Sequence, residues 1–124
     1  MILTVEPKVK KAFVDILREI QKERQINLVS KNAVSIDEVI EHLRKQYNIV
    51  IYNDVEPFVD PLHEGHIVYQ YSSKWCNLRD GWNGRVYIAR KIFNHNPNLA
   101  KFQIVEETIK WMINNKEIWN PNKN

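Results

Sequence analysis

From residue 7 to residue 25 the side chains of Val9, Ala12, Phe13, Ile16, Leu17 and Ile20 recur at three- and four-residue spacing, with charges between them. That period belongs to an α-helix with one face turned to a core. Pro7 stands at the first turn, where a missing N–H costs nothing. After the polar connector NLVSKNAV, Ser35 and Glu38 stand three apart, the signature of a capping box in which each satisfies an orphan N–H of the first turn. Ile36, Val39, Ile40, Leu43 and Tyr47 then form a second stripe that ends near Asn48. The first stripe suits either a core or a partner helix, and a chain of single-domain length favours the core.

The period then changes. Residues 49–52, IVIY, form a short β-branched run, and residues 67–72 and 85–93 alternate as strands do. Between the first two, NDVEPFVDPLHEG carries prolines and acidic residues and is expected to be a loop. KWCNLRDGWNG separates the last two strands. A final helix is predicted from about Leu99 to Asn115, with a core stripe of Phe102, Val105, Ile109 and Met112. Leu99, Ile104 and Trp111 broaden its apolar surface, and residues 116–124 are expected to fray after Trp119. The predicted fold class is α+β: a three-stranded antiparallel sheet with helices packed on one face, in the order α-α-β-β-β-α. A chain of 124 residues is expected to form one domain, with an N-terminal helix over 7–25 and an α-β-β-β-α unit over 35–115. That unit is similar in element order to the double-stranded-RNA-binding domain. The lysine run that opens the last helix of such domains is reduced here to Lys101 within NPNLAKFQ.

The net charge of +3 is unevenly spread. Residues 1–60 hold nine Lys/Arg against ten Asp/Glu, and residues 61–124 hold nine against five. Within 74–101, Lys74, Arg79, Arg85, Arg90, Lys91 and Lys101 face only Asp80, a local excess of +5 that suits an anionic partner. One cysteine, Cys76, excludes an intramolecular disulfide. No apolar run reaches membrane-spanning length, so a cytoplasmic protein without a membrane partner is expected.

Catalytic chemistry finds no set of residues to support it. DPLHEGH, residues 60–66, offers Asp60, His63, Glu64 and His66, but the spacing differs from the helical zinc-protease motif, and Pro61 and Gly65 place it in a loop. His42 lies among charged positions and reads as a surface residue. Neither a nucleophile elbow near Ser72 and Ser73 nor a histidine beside Cys76 is present. No catalytic residue, metal ligand or cofactor is therefore expected.

The strongest binding feature is RDGWNGRVYIARKIF, residues 79–93. Regular alternation puts Val86, Ile88 and Ile92 on one face, with Arg90 among them, and Arg85, Tyr87, Ala89, Lys91 and Phe93 on the other. Aromatic rings beside cationic groups suit stacking on a base and pairing with a phosphate. Gly81 and Gly84 bracket Trp82 and Asn83 in a tight bend. Arg79, Gly81, Trp82, Asn83, Gly84 and Arg85 give the pattern R-x-G-W-N-G-[K/R] before a strand, over about ten residues. This pattern resembles the signature of small phage proteins that include anti-Thoeris sponges, which sequester cyclic ADP-ribose-type signals. The resemblance implies a nucleotide-gripping role for Trp82 and Asn83. Taken together, the expectation is a non-enzymatic binder of an anionic nucleotide-like ligand using Arg79, Trp82, Asn83, Arg85, Tyr87 and Lys91. Two alternatives stay open: a protein-interaction module that uses the apolar last helix with Trp111 and Trp119, and a nucleic-acid-binding module. A homo-oligomer is compatible with each.

Overall fold

The computed structural model describes residues 6–26, 33–61, 65–76, 85–93 and 96–120. The elements follow as α1 (Pro7–Ile26), α2 (Ile36–Tyr47), β1 (Ile49–Asp60), β2 (His66–Cys76), β3 (Arg85–Phe93), α3 (Pro97–Asn114) and a single turn, α4 (Lys116–Trp119). The fold is the expected α+β arrangement, with an antiparallel sheet in the order β1-β2-β3.

Both ends of α2 follow from local chemistry. The Ser35 hydroxyl accepts the Glu38 N–H at 3.2 Å, and the Glu38 carboxylate accepts the Ser35 N–H at 3.3 Å. At the other end Asn48 takes the left-handed conformation (φ 59°, ψ 32°), which asparagine tolerates better than most residues. Its N–H donates to the Leu43 carbonyl, and the chain passes directly into β1.

β1 and β2 are longer than the expected runs, whereas β3 spans the expected residues 85–93. β1 continues through the segment expected to be a loop, as far as Asp60, with register irregularities between Asn53 and Val55 and between Val55 and Phe58. Pro57 falls in the second of these. It is accommodated because β1 is an edge strand, where a missing N–H deprives no neighbour of a ladder bond. β2 likewise takes in Lys74, Trp75 and Cys76, and the Cys76 N–H donates to the Asn48 carbonyl at 2.9 Å.

One face of the sheet carries the helices. Ile49 is fully buried in the main core with Val9, Ile16, Ile20, Val39, Leu43, Val105, Ile109 and Met112, and Ile51, Trp75 and Ile88 pack against it. Tyr71 joins Ala100 and Ile104 of α3 in a second cluster, with Tyr69 and Ala89 alongside. The Ser73 hydroxyl lies 2.9 Å from that of Thr108 on α3. Residues 69, 71, 73 and 75 of β2 therefore look toward the helices, and 68, 70, 72 and 74 look away. α3 is buried on two sides, by the sheet at Ala100, Ile104 and Thr108 and by α1 and α2 at Val105, Ile109 and Met112. This double burial explains why it is apolar around most of its circumference. Phe13 of α1 stacks on Phe102 with ring centroids 5.7 Å apart.

His42 corrects the expectation of a surface side chain: it is buried beneath α1. Its Nε2 lies 2.7 Å from Glu19 Oε1 and its Nδ1 3.5 Å from Glu23 Oε2. Arg24 forms a two-pronged pair with Glu38, so α1 and α2 are clasped by charge as well as by apolar contact. The Arg24 hydrogen bond, the largest influence, holds the Glu38 carboxyl below its ordinary value. Across the helical layer Lys101 meets Asp37 at 2.8 Å.

Candidate ligand-binding face

The away-facing surface of the sheet is chemically distinct at the end where β3 begins. Lys74 of β2 pairs across the strands with Val50 on one side and Tyr87 on the other. Its ammonium sits over the Tyr52 ring, 5.0 Å from the centroid. That is a cation–π contact, and it fixes the charge above the sheet instead of letting a long side chain sweep through water. Tyr87, opposite Lys74, is 60% exposed. Arg85 is exposed at the start of the same strand. An aromatic ring, a held ammonium and a guanidinium thus share one end of one face. Such a set can stack on a planar group and pair with an anion.

The platform is confined to that end. Val68 and Ser72, at away-facing positions farther along β2, are fully buried, and the Ser72 hydroxyl donates to the Asp54 carboxylate. The platform is made instead by the half-buried Tyr52 and Lys74 and the exposed Arg85 and Tyr87.

The expected alternation through 85–93 is interrupted. Ser73 pairs with Ala89 but Lys74 pairs with Tyr87, so Ile88 is an extra residue in β3, a bulge. Ile88 and Ala89 both pack toward the helices, instead of on opposite faces as strict alternation requires. The bulge also divides the predicted basic–aromatic row. Tyr87 is in register with Lys74 on the away-facing side, whereas Lys91 pairs through its backbone with Tyr71, a core position. Arg85 and Tyr87 therefore fall at the described platform. Arg79, Trp82 and Asn83, with Gly81 and Gly84, lie outside the described residues, in the segment that joins Cys76 to Arg85.

Tyr52 and Lys74 are the platform residues that inspection of the sequence did not single out as a site. Their partnership depends on which strand positions come into register, and Lys74 fell in a segment expected to be a loop. The one available signal was its contribution to the local charge excess.

His63, Glu64 and His95 lie outside the described residues. Among the described residues no three His, Cys, Asp or Glu side chains gather in a way that could hold a metal ion. Cys76 is half-buried with a free thiol. Among the described residues no helix is long and apolar enough to cross a membrane. Trp111 and Trp119, considered as elements of an interaction surface, pack at least in part against the core. The class defined by fold and surface is a small α+β protein with one helix-covered and one partly open sheet face. No protein-family model, curated protein or solved structure matches the chain.

Proposed function

We propose that this protein is a non-enzymatic binder of an anionic, nucleotide-like ligand, held at the open end of the sheet by Tyr52, Lys74, Arg85 and Tyr87. The observation that carries this reading is the exposed Tyr87 ring in register with Lys74, whose ammonium is fixed over Tyr52. A solvent-exposed ring beside a cation seated over a second ring suits a base and a phosphate of one molecule. Arg79, Trp82 and Asn83 are proposed to complete the grip from the adjoining connection. The R-x-G-W-N-G-[K/R] resemblance makes cyclic ADP-ribose-type signals the first ligands to try, and with them an anti-defence role in a phage or mobile element.

The test is titration calorimetry with linear and cyclic nucleotides, including cyclic ADP-ribose, on the wild type and on Tyr87→Ala. Base–aromatic stacking is worth about 1–3 kcal/mol, so loss of the Tyr87 ring should weaken binding about 5- to 150-fold. The melting temperature should hardly change, because the side chain is mostly in water. Absence of heat with every nucleotide, on folded protein, would refute the proposal. Gel shifts with oligonucleotides that fade steeply with salt would favour the nucleic-acid reading instead. A protein-interaction reading draws on Val59 and Ile67, cross-strand partners both exposed where β1 and β2 approach their connection.

A further inference from the structure

A second concave surface lies away from the sheet, between α1, α3 and α4, and has a volume of about 520 Å³. That is within the range of small-molecule sites. Its floor is hydrocarbon: Ile16 of α1 and Ile109, Met112 and Ile113 of α3. Tyr47 and Trp119 form a wall, edge to face with ring centroids 5.3 Å apart.

The polar atoms of that wall are already used. The Trp119 indole N–H donates to the Met112 carbonyl at 2.7 Å. The Tyr47 hydroxyl shares its proton between the two Glu19 oxygens, each at 2.9 Å. Burial, and then the Glu19 carboxylate, push that phenol well above its ordinary value, so it stays neutral. The aromatic wall therefore offers rings but no spare hydrogen-bond donor to an occupant.

What remains is charge, and it is ordered along the groove. Lys8 and Lys11 stand at the α1 N-terminal end, and Lys116 lines the groove from α4. None of the three has a carboxylate partner among the described residues, unlike Lys110, which meets Glu6 at 3.4 Å. Asp15 and Glu19 carry the opposite sign farther along α1 and disfavour an anion there. A groove with an apolar floor, aromatic walls without a spare donor, and ammonium groups unpaired among the described residues complements an anion with a hydrocarbon chain.

We propose that this groove binds an amphiphilic monoanion of fatty-acid type, its carboxylate at Lys8, Lys11 and Lys116 and its hydrocarbon chain along Ile109, Met112, Ile113 and Trp119. The site is separate from the sheet platform, and neither proposal depends on the other.

The experiment is calorimetric titration of the full chain with decanoate below its micellar concentration, beside the neutral decanol and the chainless acetate. Decanoate should bind one to one; decanol should bind roughly tenfold or more weakly because it lacks the charge, and acetate roughly tenfold or more weakly because it has no chain to bury. A Lys8→Gln/Lys11→Gln/Lys116→Gln variant should lose decanoate by a similar factor while its circular dichroism and melting temperature stay at wild-type values. Tyr87→Ala should bind decanoate as the wild type does. Equal binding of decanol and decanoate, undiminished binding by the triple variant, or no decanoate binding at all would overturn the proposal. So would an acidic amphipathic peptide that binds through the same lysines when decanoate does not.

Discussion

Thr108→Val tests which face of the sheet the helices cover, and so which face is left for a ligand. Thr108 and Ser73 are both fully buried. The Thr108 hydroxyl lies 2.6 Å from the Ile104 carbonyl and 2.9 Å from the Ser73 hydroxyl. It has one proton, and the carbonyl has none, so Thr108 donates to Ile104 and accepts from Ser73. Valine keeps the shape but removes the acceptor, and the Ser73 hydroxyl is stranded in a dry interface at a cost of about 1–3 kcal/mol. Ser73→Ala removes only a donor and strands no proton, and should cost about 0.5–1.5 kcal/mol. In the double variant nothing is stranded, so its loss should fall short of the summed single losses by about 1 kcal/mol. Urea unfolding at constant m-value reads all four stabilities. Additivity within about 0.3–0.5 kcal/mol would refute the contact. Ser73 would then not face α3, and the assignment of Lys74 and Tyr87 to the opposite face would fall with it.

Other consequences are equally open to measurement. Ser35→Ala removes the acceptor of the Glu38 N–H and should destabilise the fold by about 1 kcal/mol in chemical unfolding, whereas Ser35→Asp should retain most of the stability. Glu38 carries a pH signature. Its carboxyl is held low by Arg24 in the folded state, so its contribution is fully present above the unfolded carboxylate value and is lost as pH falls through the folded value. Melting temperature followed from neutral to acid pH should therefore fall less steeply in Glu38→Gln than in the wild type, and parallel curves would contradict the Arg24 pairing.

The helices were legible in the sequence because their signals are local. The stripe from Val9 to Ile20 and the Ser35–Glu38 box each specify their element without reference to the rest of the chain. All three strands were legible in kind and β3 also in extent; the extents of β1 and β2 were not. Pro57 reads as a strand breaker until β1 is known to be an edge, and edge position is a property of the whole sheet. The Ile88 bulge is likewise invisible in RVYIARKIF, because it is defined by what Ser73 and Lys74 pair with. His42 shows the same limit. Its charged neighbours mark a polar helix face, but the arrival of α1 with Glu19 and Glu23 turns that face inward. At the candidate site, Arg85 and Tyr87 could be found by alternation from the start of β3, while Tyr52 and Lys74 required the register across strands.

The most direct test of the proposed ligand platform is an amide-resolved NMR titration of the folded protein with cyclic ADP-ribose, followed by other cyclic and linear nucleotides. Binding at the open end of the sheet predicts saturable shifts concentrated at Tyr52, Lys74, Arg85 and Tyr87, extending into residues 79–83. No shifts with any nucleotide, or shifts confined to α1, α3 and α4, would contradict it.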